Sequence, residues 1–169
     1  DYKSPLYGRR SGQLKLNPLK FKDIHNFFPK KSFEELVKIY SVVDGIPLYL
    51  LKMDASIGLE ENLKTNIFNR GAFLYQEAEI LLKQEFREVS NYFNLLKAIS
   101  FGRNKFGEIA NFSGLDKTIV SKYLDNLLKI HIIKKEFPVT EKKEIRNAHY
   151  VFEDNYYSFW FRFVYPNKS

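Results

Sequence analysis

The chain has 169 residues, 44% of them hydrophobic, with 27 Lys and Arg against 20 Asp and Glu, a net charge of +7. That length and apolar content support a buried core, which excludes a disordered chain, and the absence of cysteine removes disulfides, thiolate nucleophiles and Cys-based zinc sites. The longest apolar run, Ile46–Leu51, is far short of the roughly 20 residues of a membrane span, and Asp1–Pro5 has no signal-peptide core; a soluble, cytoplasmic protein with no membrane partner is expected.

In chain order, residues 1–20 read as turn, strand, turn, punctuated by Pro5 and Gly8, with Leu14 and Leu16 alternating before Asn17-Pro18. From Phe21 the apolar period becomes helical: Ile24, Phe27 and Phe28 form a short face closed by Pro29. Ser32-x-x-Glu35 is a capping box opening a helix that carries Leu36, Val37, Ile39 and Tyr40. Asp44-Gly45 ends it, and Pro47 stands where a helix's first turn tolerates proline. Further helices are expected over Leu59–Phe68 and Glu77–Arg87, making residues 21–87 a cluster of short helices.

Residues 88–154 follow a different pattern. Phe93, Leu96 and Ile99 mark a helix stopped by Gly102, and Phe106, Ile109 and Ala110 a second, broken at Ser113-Gly114. A third runs over Asp116–Ile130, with Asp116 as N-cap and Ile119, Val120, Tyr123, Leu124 and Leu127 facing inward. Two strands follow, Ile132–Val139 and Ala148–Phe152, joined by a charged stretch. Three helices with a tight turn before the third, then a hairpin, is the order of a winged helix-turn-helix domain. The expected fold class is therefore mainly α with a small β-hairpin: a helical bundle followed by a winged helix. The ending Tyr156–Val164 is dense in aromatic residues and is expected to need a partner surface to cover it.

Self-contained catalytic chemistry is missing. His25, His131 and His149 are isolated, so no metal site and no catalytic residue is assigned. Gly102-Arg103-Asn104-Lys105-Phe106-Gly107 has the glycine spacing of a phosphate loop, but Glu108-Ile109 stand where Lys and Ser/Thr are required. A glutamate there would repel phosphates.

Several phrases fall in order along nearly the whole chain: Ser4-Pro5-Leu6-Tyr7-Gly8-Arg9-Arg10-Ser11-Gly12-Gln13, then Gly45-Ile46-Pro47-Leu48-Tyr49-Leu50, Gly71-Ala72-Phe73-Leu74-Tyr75, Ser121-Lys122-Tyr123-Leu124 and the aromatic ending. In these the chain resembles the archaeal-type P-loop ATPases of the STAND class, within the AAA-like group. The resemblance implies that residues 1–20 are the last strand and turn of an ATPase core, 21–87 its helical lid, 88–154 a winged helix and 155–169 the start of a truncated C-terminal domain. It implies that the Walker A and B elements lie outside this fragment, with the P-loop core and the C-terminal domain as partners within the parent chain. ATP and magnesium would serve that parent and would not bind tightly here, and the fragment itself would not be an enzyme. Gly45 and Pro47 would contact the adenine, and Arg9 or Arg10 a phosphate.

For the winged helix two readings stand. In one it docks on double-stranded DNA through Lys117, Thr118, Ser121 and Lys122 of the third helix, with Lys142, Lys143 and Arg146 on the wing. In the other it is a protein-interaction module or spacer relaying lid motion, with a homo-oligomer among the possible assemblies. Residues 88–154 carry 11 basic against 9 acidic side chains, and no arginine lies on the third helix, so weak, salt-sensitive, non-specific DNA contact is the most to expect.

Overall fold

The computed structural model describes residues 16–139 and 148–168, a mainly helical chain with one two-stranded antiparallel sheet. Among the described residues no helix is long and apolar enough to cross a membrane. A 3-10 turn over Phe21–Asn26 buries Ile24 and leads to α1 (Phe33–Val43). The capping box forms as expected: Ser32 accepts from the Glu35 amide, and the Glu35 carboxylate accepts from the Ser32 amide at 2.9 Å. These bonds and Lys31 hold the Glu35 carboxyl low, at about 2. Leu36, Ile39, Val42 and Val43 form the inward stripe.

Pro47 opens α2 (Pro47–Lys52), and α3 (Leu59–Asn62) runs directly into a single π turn over Leu63–Ile67. The Asn62 amide organises this corner. It accepts from the Asp54 amide at 2.7 Å and donates to the Asp54 and Gly58 carbonyls, so a buried polar side chain is fully used. The next helix, α4 (Phe73–Glu85), starts four residues before the expected Glu77. Its buried stripe of Leu74, Tyr75, Ala78 and Leu82 begins at the aromatic Phe73-Leu74-Tyr75 run, upstream of the first charged residue.

Helices α5 (Val89–Ser100), α6 (Phe106–Ser113) and α7 (Lys117–Lys129) follow, then β1 (Ile133–Glu136) and β2 (His149–Phe152). Gly102 at φ 82° ends α5 and Gly114 at φ 66° ends α6, both conformations that favour glycine. The strands are shorter than their sequence windows and pair antiparallel, Ile133 with Phe152 and Glu136 with His149. Lys105 adds an isolated antiparallel bridge to His149, and the Tyr150 amide donates to the Asn104 carbonyl at 2.8 Å. Val120, Leu124 and Leu127 are the buried stripe of α7. Ile119, expected to face inward, is 42% exposed, because it lies beside that stripe in the first helical turn, where nothing covers it.

The aromatic ending corrects a second expectation. The chain itself wraps most of it, leaving Phe163 half exposed. After β2, α8 (Asn155–Phe159) passes into a π turn over Trp160–Val164 and a 3-10 turn over Tyr165–Asn167, and Tyr156, Tyr157, Trp160, Phe161 and Val164 are buried. The Tyr156 hydroxyl donates to the Leu74 carbonyl at 2.7 Å and the Trp160 Nε1–H to the Tyr75 carbonyl at 2.9 Å. On the other side Phe161 packs edge-on to Phe93 of α5 with ring centroids 5.5 Å apart, and stacks on Phe152 of β2 at 5.9 Å. One segment therefore fills the space between α4 and the α5–β2 unit. Trp160→Ala should cost about 3–5 kcal/mol, the range for emptying a fully buried large aromatic site. A fall in the urea midpoint monitored by far-UV circular dichroism measures it.

Candidate functional site

The glycine–proline turn between α1 and α2 is built from both sides. Residues 16–20 have no regular structure and lie against it, the Leu19 amide donating to the Gly45 carbonyl at 2.8 Å. A Cβ on Gly45 would stand 1.9 Å from the Leu19 carbonyl oxygen. Glycine is therefore required here by a neighbouring backbone of the same chain. Pro47 is at the first position of α2 and exposed, as are Leu48 and Leu51, the latter 71% exposed.

Asp44, immediately before this turn, was not singled out from the sequence. It closes α1 with φ 56° and ψ −155°, close to a region that only glycine visits freely, and it is 8% exposed. Its two carboxylate oxygens are divided: Oδ1 accepts from the Gly45 amide at 2.7 Å and Oδ2 from the Asn155 amide at 2.8 Å. Asn155 returns the contact, its Nδ2 donating to the Tyr40 carbonyl at 3.1 Å. Asp154, the N-cap of α8, accepts from the Tyr157 amide at 2.8 Å. Burial, aided by the Asp44 charge, pushes its carboxyl up to about 6, although its backbone hydrogen bonds pull the other way.

These groups line a cleft of about 390 Å³, with Asn17, Pro18, Leu19 and Lys20 on one wall and His131 and Glu153 on the other. His131, at φ 61°, places Nδ1 3.2 Å from the Glu153 carboxylate. Asp44, Glu153 and Asp154 against Lys20 and a histidine make the cleft acidic, an arrangement that disfavours phosphate. Among the described residues no three His, Asp or Glu side chains converge on a point that would hold a metal.

The second candidate surface is the outer face of α7. Lys117, Thr118, Ser121 and Lys122 are all exposed there, on one helix, as the sequence implied. Asp116 caps the helix by accepting from the Thr118 amide at 2.7 Å, which lowers its carboxyl and leaves a negative charge beside these residues. Phe112 and Ile119, 46% and 42% exposed, flank the α6–α7 turn. Arg9 and Arg10 lie outside the described residues, as do Lys142, Lys143 and Arg146, so the expected phosphate arginine and the expected wing contacts have no place in this geometry.

The chain matches an uncharacterized protein of the archaeon Methanocaldococcus jannaschii, 42% identical over 168 residues. The match covers 99% of this chain and 38% of that relative, so the chain spans well under half of the relative's length. No known family model and no solved structure matches the chain.

Asp154 generates a pH-dependent prediction. Its carboxyl rises from 3.8 in the unfolded chain to about 6 in the fold, so the native state keeps a proton that the unfolded state has lost. Stability from this group is full below about pH 4 and is lost as pH rises towards 6. Asp154→Asn retains an oxygen able to cap α8. It should match the parent at pH 4 and exceed it by up to about 3 kcal/mol at pH 7–8, as read by urea denaturation at the two pH values.

Proposed function

We propose that this chain is the lid and winged-helix arm of a P-loop ATPase of the STAND class, a nucleotide-gated switch in which residues 88–154 form a winged helix that presents α7 to double-stranded DNA. The observation that carries the winged-helix reading is the Lys105–His149 bridge. It sets a third extended segment, between α5 and α6, against β2, which is where a winged helix has its first strand. The left-handed Gly114 supports it by giving the tight turn before α7. The ordered phrases around Gly45-x-Pro47 and the aromatic ending support the family reading, and the aromatic segment packed between α4 and α5 supports lid and winged helix moving as one arm.

The described residues do not by themselves make a site for ATP and magnesium. The space a nucleotide would need beside Gly45 is taken by Leu19, and the adjoining cleft is acidic. Pro47, exposed at the start of α2, is the described group left to touch an adenine supplied with its phosphates from elsewhere in the parent. Phosphate release from ATP by the chain alone should stay at background. A turnover that copurifies with the chain and is abolished by Arg9→Ala would overturn this part of the reading.

DNA contact is tested directly. Fluorescence anisotropy with a duplex of about 20 base pairs should show binding that weakens steeply between about 50 and 200 mM salt. Lys117→Ala with Lys122→Ala should reduce the salt slope by about 2, one for each phosphate that a lysine no longer neutralises. Exposed Phe112 and Ile119 favour the second reading, a protein-interaction module; absence of duplex binding at the lower salt would overturn DNA contact and leave that reading standing.

A further inference from the structure

We propose that Asp44 and Asn155 form a conformational latch that holds the Gly45-Ile46-Pro47 turn in one of two positions and ties that position to the start of α8. Four features of the geometry converge on it. Asp44 is one of two non-glycine residues with positive φ among the described residues, and its ψ of −155° puts it near the glycine-only region. A backbone in that region is held at a cost of about 1–3 kcal/mol and persists only where surrounding contacts enforce it. Beside the backbone bonds of the Asp44 amide to the Tyr40 carbonyl and the Leu19 amide to the Gly45 carbonyl, the carboxylate bonds Gly45 on its own turn and Asn155, which lies 111 residues along the chain. The Asn155 side chain then bonds the Tyr40 carbonyl, closing a reciprocal pair between the end of α1 and the first residue of α8.

The Tyr40 hydroxyl also faces this carboxylate and donates to the Leu19 carbonyl at 3.4 Å, so it touches the turn from α1. If the Asn155 amide withdraws, the carboxylate keeps Gly45 and Tyr40 but loses its tie to α8, and the strained backbone gains by relaxing to an ordinary conformation. Relaxation frees the turn from Leu19, whose amide bonds Gly45 in the closed position, while α2 stays anchored by the buried Tyr49 and Leu50. Closed and open are therefore discrete states, because a backbone dihedral crosses between wells instead of sliding between them. The latch is a positioning device and stands on this geometry alone. Only its trigger by nucleotide near Pro47 rests on the reading proposed above.

Two substitutions at Asn155 separate the latch from simple packing. Asn155 is the first helical position of α8 and follows Asp154 at φ −121°, ψ 160°, a setting that accepts proline. Asn155→Pro removes the amide donor and the side chain; Asn155→Ala removes the side chain and keeps the donor. Hydrogen exchange of the full chain, without nucleotide, is followed at the amides of Gly45, Ile46, Leu48, Tyr49 and Leu50. Asn155→Pro should speed exchange there about 10–100-fold, the loss expected for a hydrogen bond to a charged acceptor, with Asn155→Ala well below it and the α5–α7 amides unchanged. Equal exchange in the two variants would overturn the latch. Should Asn155→Pro fail to fold, Asp44→Asn answers the same question, since it keeps the side chain's shape and backbone setting and removes the charged acceptor that both amides bond. Faster exchange at 45–50 supports the latch and unchanged exchange overturns it. Because no nucleotide is present, either outcome leaves the ATPase reading to its own test.

Discussion

Trp160 is where the two halves of this chain become one body. Its indole is fully buried, donates to the Tyr75 carbonyl of α4, and lies edge-on to Phe93 of α5 with ring centroids 6.4 Å apart. Tyr156 grips the same helix through the Leu74 carbonyl, and Phe161 reaches Phe152 on the hairpin. Buried aromatic rings bring large apolar area with few torsions to immobilise, and the two that carry a polar atom have it satisfied by a carbonyl. Without this segment, the inner faces of α4 and α5 would lie open to water.

That arrangement sets what the rest of the molecule can do. Motion of α4 cannot leave α8 behind unless the aromatic packing breaks, which is costly. The junction at Asp44 is held differently, by one carboxylate, two amides and a strained backbone. Asp154 next to it places a second, half-buried carboxyl in the same cleft, its protonation range raised chiefly by desolvation. Packing thus provides stiffness on one side of the cleft, while hydrogen bonds provide a reversible contact on the other.

The surface left for partners is modest in charge. α7 presents three lysines, Asp125, a threonine and a serine, with an aspartate at its own cap and two exposed apolar side chains beside its entry turn. Such a face would hold a phosphate backbone weakly and read few base edges, since no arginine is there to make a paired contact with guanine.

Much of the local structure was legible from residue order. The Ser32–Glu35 capping box, Pro47 at a helix start, the glycines after α5 and α6 and the Asp116 cap all act within about one turn of the chain, and local chemistry decides them. The order of α5, α6, α7 and the hairpin followed from the same signals, and so did the exposure of Lys117, Thr118, Ser121 and Lys122. What depended on distant partners was hidden. The cover over Tyr156–Val164 comes from helices 60 to 85 residues upstream, so a segment that looked bare in sequence is core in the fold. Gly45 carries no trace in sequence of the Leu19 backbone pressing on it, and an Asp-Gly pair reads as an ordinary helix stop whether or not its aspartate reaches Asn155. Hydrogen bonds and close approaches between remote segments are decided by how the elements pack, and only the tertiary structure supplies that.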